Sequence, residues 1–283
     1  RCVDVTPVGS RSSPCPIMDF GKLTTAKAAV ISVHDETTRC ELGDLIGFRA
    51  LFHSCLARRS DALFELTDAV LCAAGPVHSL VGLSLVAEHR RGHGALYDAV
   101  NAGRVDIDSF RRGLVGVALP RDGRGGLLLA VDVSPWLRPD AASAPDRAFC
   151  HVNRRGRNAA QMVPGWPYSM VVALEPGRTS WVAPLDAVRL RPDDDVTEVT
   201  ARQIRDLVGR LITVGTWKPG DPDIAIAHDC GYDIVRLTYL LADLPVVLIG
   251  RVRSDRRFHL AAPARVPGRP GRHRHDARAT LTR

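Results

Sequence analysis

The sequence predicts an α/β protein: a mixed-sheet core of order βββαβαβ over residues 126–255, preceded by a small helical module at 18–122. Three observations predict it. Apolar residues recur at helical spacing until the glycine-rich break from Pro120 to Gly126. Beyond that break, short apolar runs of strand length alternate with helix-period segments. The composition, with 45% hydrophobic, 24% charged and 5% aromatic residues in 283, is that of an ordinary globular chain and excludes collagen, a mucin-like stalk and wholesale disorder.

Taken in order, residues 1–17 carry Pro7, Pro14, Pro16 and several serines without periodicity, and read as a disordered or read-through leader ahead of Met18. Phe48, Leu51, Phe52, Cys55 and Leu56 fall on one helix face, and Leu63, Leu66 and Val70 on a second. A short apolar run, Leu80 to Leu85, precedes the polar turn from Ala87 to Gly94, and helical patterns return at Tyr97–Val100 and Phe110–Val115. Leu127 to Asp132 reads as a buried strand ending in an acid. Residues 135–166, rich in Pro, Arg and Asn, read as irregular. Tyr168–Leu174 and Ser180–Leu190 are the next two strands, joined by the turn Glu175-Pro176-Gly177-Arg178. Asp195 with Glu198 makes a capping-box pattern for a helix whose apolar stripe is Ile204, Leu207, Val208, Leu211 and Ile212, and Gly215 stops it. Ile224 to Asp229 is a strand that again runs into an acid, Tyr232–Leu241 a helix and Val246–Ile249 the last strand.

Seven scattered cysteines, odd in number and without a CxxC pair, argue against a disulfide framework or a zinc finger. No apolar run reaches membrane-span length, and Arg1-Cys2-Val3-Asp4 opens no signal-peptide core, so the expected compartment is the cytoplasm and no membrane partner is expected. The chain's net charge of +7 resides in residues 256–283, where eight arginines face one acid, Asp276. That segment reads as a basic, disordered tail, and the inference from charge to nucleic acid rests on it alone.

The chemistry is carried by two aspartates. Two apolar strands, separated by a hairpin and a helix, each deliver an Asp at or near the C-terminal end, where ligands of open α/β sheets bind. Buried strands otherwise avoid carboxylates, since an unpaired charge there is costly. Two carboxylates brought together repel unless a cation lies between them. Mg²⁺ is the natural candidate, a hard ion taking oxygen ligands at about 2.0–2.1 Å. A pair of such ions roughly 3.5–4 Å apart can clamp the attacking and leaving oxygens of a phosphodiester. No GxxxxGK[ST] P-loop occurs, so the strand-then-Asp pattern is not an ATPase metal site.

The segments LAVDVSPWLRPDA (129–141), GWPYSMVVALEPGRTSW (165–181) and DPDIAIAHDCGYDIVRLTYLLADLPVVLIGRVRSDR (221–256), with residues 57–104, resemble the DDE transposases of bacterial insertion sequences, in particular an actinobacterial branch of DDE superfamily endonucleases. The resemblance implies a ribonuclease H-like core, whose order is also βββαβαβ. It makes Asp132 and Asp229 the catalytic and metal-binding acids, Mg²⁺ or Mn²⁺ the cofactor, double-stranded DNA the partner and a homo-oligomer the full-length form. It also calls for a third acid on a helix after the fifth strand. The only acids there are Asp255, close to the strand end, and Asp276, in a segment with no helical pattern. The expectation is an incomplete site in a truncated or out-of-frame ending. Beside the transposase reading stand a catalytically dead fragment that binds DNA or pairs with full-length subunits, and a host nuclease of the same fold.

Secondary candidates are weaker. Trp136 and Arg138 follow the first Asp and are candidates for DNA contact, as are Arg154, Arg155 and Arg157 in a basic loop and Arg90 and Arg91 in the helical module. A structural lid explains Trp136 and Arg138 as well, a solvated loop explains Arg154, Arg155 and Arg157 as well, and most basic runs like that of Arg90 and Arg91 are simply solvated. Asp193, Asp194 and Asp195 are read as helix-capping residues, Asp233 as an early helix acid and His228 as a packed residue facing away from Asp229. His273 and His275 are too close to chain of disordered character to form a metal site.

Overall fold

The computed structural model describes residues 42–153, 160–177 and 179–251, together with the backbone of 258–259 and 278–279. The chain divides into two compact units, Arg1–Leu51 and Phe52–Arg283. In the first, the described residues 42–51 are helical; helix α1 is assigned to 42–54. The predicted helix face thus ends before Cys55 and Leu56, and Leu56 opens a strand.

The second unit begins with a helical layer. Strands β1 (Leu56–Arg58) and β2 (Arg104–Val105) pair antiparallel and enclose α2 (Ser60–Cys72), α3 (Leu80–Leu83) and α4 (Gly94–Ala102). Ala69, Leu83 and Leu96 form a small buried cluster there, with Leu66, Leu80 and Val86 against it. Helix α5 (Ile107–Gly116) starts at Asp106, whose carboxylate accepts from the Ser109 amide at 3.0 Å, satisfying one orphan donor of the first turn. Although α5 belongs to the helical stretch of the sequence, its Val115 is buried in the main core, and Thr216 donates to the Val115 carbonyl at 2.6 Å.

The main core is a six-stranded mixed sheet. Its strands are β3 (Leu128–Leu137), β4 (Ala148–Asn153), β5 (Ala160–Leu174), β6 (Val182–Arg189), β7 (Ile224–His228) and β8 (Val246–Gly250). Strands run β4-β5-β3-β7-β8, with β6 also pairing β5. The pairs around β5 are antiparallel, and β3, β7 and β8 are mutually parallel. With α6 (Val196–Val214) and α7 (Ile234–Leu240), this is the βββαβαβ order of a ribonuclease H-like core with β4 inserted. Alternation sends Leu129, Val131, Val171, Ala173, Ile224 and Ile226 to one face, where they pack with Ile204, Leu207, Val208, Leu211, Leu237 and Leu241. Full burial of each Val, Leu or Ile side chain among them contributes roughly 1.5–3 kcal/mol.

Helix α6 follows its sequence signals. Asp195 accepts from the amides of Thr197 and Glu198 at 3.0 and 3.2 Å, and Gly215 ends the helix in the left-handed conformation at φ 82°. Asp194 accepts from the Arg191 amide, and Asp233 caps α7 through the Arg236 amide.

The segment 135–166 departs from expectation. Among the described residues it is irregular only over 138–147: β3 continues into the segment to Leu137, β4 follows at Ala148–Asn153, and β5 begins at Ala160. Proline and glycine hid these strands. Pro135 and Pro167 sit opposite each other, past the end of the β3–β7 ladder and between the stretches of β5 that pair with β4 and with β6, so no ladder amide is missed. At Gly165 a Cβ would collide with the Trp136 carbonyl oxygen, so glycine permits the two strands to approach.

Of residues 256–283, the described pairs 258–259 and 278–279 form a short antiparallel ladder. Among the described residues, Cys55, Cys150 and Cys230 are free thiols, and no helix is long and apolar enough to cross a membrane.

Candidate active site on two neighbouring strands

Asp132 and Asp229 come together through the sheet. The parallel ladder pairs Leu128 with Ala225 and continues to Val131 with His228, so the next step in register is Asp132 beside Asp229. Neighbouring strands lie about 4.8 Å apart. Asp132 is not at the end of its strand, as the sequence suggested. The ladder with β7 stops at Val131, while β3 runs on for six residues, Asp132 to Leu137, paired to β5. Both aspartates are exposed. One oxygen of Asp132 accepts from the Val133 amide, and one of Asp229 from the Gly231 amide, each at 2.8 Å. These local bonds fix the carboxylates and leave their other oxygens for a ligand.

His228 is 6% exposed and on the opposite face, as strand alternation predicts. Its ring lies 5.2 Å from that of Tyr232, and burial pulls its pKa below the usual imidazole value. Tyr232 was not among the sequence candidates. Burial and then the negative fields of Asp132 and Asp229 push its phenol well above the ordinary range, while the nearby Ser169 offsets part of that rise. Both carboxylates therefore bear on one side chain. Behind them, Ser169 donates to Gln203 at 2.7 Å, and the Gln203 amide returns a bond to the Ser169 carbonyl at 3.0 Å. Only the tyrosine's place after a strand-end Asp hinted at its position.

Neither aspartate has a salt-bridge partner among the described residues. Asp186 on β6, by contrast, is 5% exposed and gripped by Arg111 at 2.8 Å and Arg210 at 2.7 Å. Two adjacent, unneutralised carboxylates are hard oxygen donors suited to a divalent cation. As a donor set they fit Mg²⁺ or Mn²⁺ in kind, but among the described residues no group of three or more His, Cys, Asp or Glu is placed to hold a metal. Asp255 and Asp276 lie outside the described residues, as do Arg154, Arg155, Arg157, His273 and His275.

The remaining candidates are dispersed. Trp136 shares the face of β3 that carries Asp132, is 56% exposed and meets Trp166 edge-on at 5.8 Å. Arg138 is drawn to Asp140 at 3.2 Å. Arg90 and Arg91 are both in the helical layer, where Arg90 is exposed and Arg91 pairs with Glu65 at 3.1 Å and Asp61 at 3.5 Å. The structure brings neither into hydrogen bond or ion pair with Asp132 or Asp229.

Among solved structures the chain is similar to one titled Drosophila P element transposase strand transfer complex, at 15% identity and a TM-score of 0.33, over 67% of this chain and 41% of that one. The chain thus spans less than half of that relative's length. No curated protein matches it. The family described as DDE superfamily endonuclease matches residues 51–283, a span containing both aspartates, the strands that deliver them and the helical layer from β1 onward. The chain is therefore a member of the DDE superfamily endonucleases.

Proposed function

We propose that this endonuclease is a transposase, cutting and joining DNA strands at the ends of an insertion sequence, with Asp132 and Asp229 holding Mg²⁺ or Mn²⁺. The observation that carries the reading is the parallel register, which sets side by side two carboxylates that have no salt-bridge partner among the described residues. A divalent ion bound there supplies Lewis acidity for phosphodiester displacement without a covalent enzyme intermediate. The chain's own residues prepare that site. The Val133 and Gly231 amides orient the carboxylates. His228 and Tyr232 pack behind Asp229 and exclude water from the rear of the strand end. Double-stranded DNA is the partner, met by Arg138, Arg154, Arg155, Arg157, Arg90 and Arg91, with Trp136 against the strand that leads to the acids. The working form is a homo-oligomer in the cytoplasm.

One observation favours a second reading. No third carboxylate joins the pair among the described residues, and a two-acid site holds a metal weakly. The chain then binds DNA, or pairs with complete copies, without cutting. Incubating supercoiled plasmid with the protein and Mg²⁺ or Mn²⁺ separates the two. Nicking that disappears in Asp132→Ala and Asp229→Ala supports the transposase reading, while DNA binding without nicking under either ion supports the second.

A further inference from the structure

The face of the sheet that carries Asp132 also carries an unusual set of side chains beyond it. On β3, residues 132, 134 and 136 share a face, and their partners on β5 are Met170, Tyr168 and Trp166. Continuing the same alternation along β5 brings Pro164, opposite Phe149, and Met162, opposite His151, to that face. Tyr168 pairs with Arg189, whose guanidinium stands 6.0 Å from the Trp166 ring centre. Trp136 is 56% exposed, Phe149 71% and Met162 54%. Large apolar groups gathered on one outward face mark an interaction site.

We infer that Trp136, Trp166 and Phe149 form a stacking platform for unpaired bases of a DNA strand leading to Asp132. This deepens the nuclease reading and rests on it. Trp136 is four residues along one strand from Asp132, about 13 Å at the usual strand rise. The two are fixed to each other by a continuous ladder. Charge favours a polyanion. Around the rings, Arg138 and Arg189 are paired with Asp140 and Asp146, and Arg147, which donates to the Arg138 carbonyl, leaves the border with a net positive charge. Ring faces select the form of the nucleic acid. A duplex keeps its bases stacked on one another, whereas an unpaired base has a free π-face for an exposed aromatic. Arg189 over Trp166 supplies a cation beside such a stack. The platform requires the strand being cut to be locally melted next to the acids.

The test uses the full chain, a fluorescent oligothymidylate strand and a duplex of equal length. The expected result is tighter binding of the single strand, accompanied by quenching of tryptophan fluorescence. Stacking is worth about 1–3 kcal/mol per base, so Trp136→Ala with Phe149→Ala weakens single-strand binding by about tenfold or more and duplex binding by less than about twofold. Trp136→Phe, which keeps a ring, retains most of the affinity and guards against a folding defect. Equal losses for both DNAs, or no loss, overturn the platform. A chain that nicks plasmid through Asp132 yet has no preference for the single strand overturns the platform and leaves the nuclease reading intact. Binding of neither DNA overturns both. A change in oligomeric state without a change in single-strand affinity assigns the rings to a second copy instead and overturns the platform.

Discussion

Asp186 and the pair Asp132–Asp229 belong to the same sheet, but the chain surrounds them differently. Asp186 lies between β6, α5 and α6, almost wholly buried, and two arginines from two helices neutralise it. Its carboxylate also accepts from the Ala187 amide at 2.8 Å. The Asp132–Asp229 pair is exposed, side by side, and has backbone amides but no salt-bridged arginine among the described residues. Where a carboxylate serves the fold, the chain provides the countercharge from its own helices. Where two are left without one among the described residues, they are open to a cation from outside. This difference separates an architectural acid from a reactive one more sharply than residue type does.

A graded series of substitutions tests the contrast. Asp186→Ala strands two arginines, one with a buried Nε that already lacks a partner, and breaking such a buried cluster costs about 3–5 kcal/mol. Urea denaturation is the measurement, and loss below about 1 kcal/mol would merge Asp186 with the exposed pair. Arg111→Ala leaves Arg210 in place and has the smaller cost of a charged hydrogen bond, about 1.5–3 kcal/mol. A larger loss than for Asp186→Ala would mean that α5, rather than the clamp, is what the arginine secures.

A third test concerns an exposed pair. Arg205 holds the Asp243 carboxyl at about 2, through bonds of 2.6 and 2.8 Å. Because the folded pKa lies below the unfolded value of about 3.9, the pair's stabilisation is present above pH about 4 and is lost as pH falls toward about 2. Asp243→Asn should therefore lower the melting temperature slightly at neutral pH and not at all near the acid end. A constant difference across that window would show that the charge is not responsible. The smallest stability effect is assigned to Asp132→Ala, within about 0.5 kcal/mol of the parent, although nicking is lost. A large destabilisation would make Asp132 an architectural acid like Asp186.

Much of the fold was legible in the sequence because apolar period and caps agree locally. Helix α6 is the clearest case, announced by Asp195 and Glu198 at one end and Gly215 at the other. Strand β7 was equally plain, since Ile224 and Ile226 lead directly into His228 and Asp229. The extension of β3, the start of β5 and all of β4 were not. Pro135, Pro164, Gly165 and Pro167 signal a loop by local rules, and only the tertiary pairing shows that their missing amides and side chains suit gaps in the ladders. The two acids could be named as strand-end residues, but their adjacency depends on β3 and β7 being neighbours despite the hairpin and helix between them. Phe149 and Trp166 were hidden by the same reading of 135–166 as irregular, although Trp136 was visible as a lone aromatic.

The most direct measurement of the central idea is Mn²⁺ uptake, followed by electron paramagnetic resonance, in the parent chain, Asp132→Asn, Asp229→Asn and the double variant. If the two carboxylates share one ion, each single substitution removes most of the binding and the double variant is no worse than either. Unchanged uptake in the single variants, or losses that simply add, would contradict a site shared by Asp132 and Asp229.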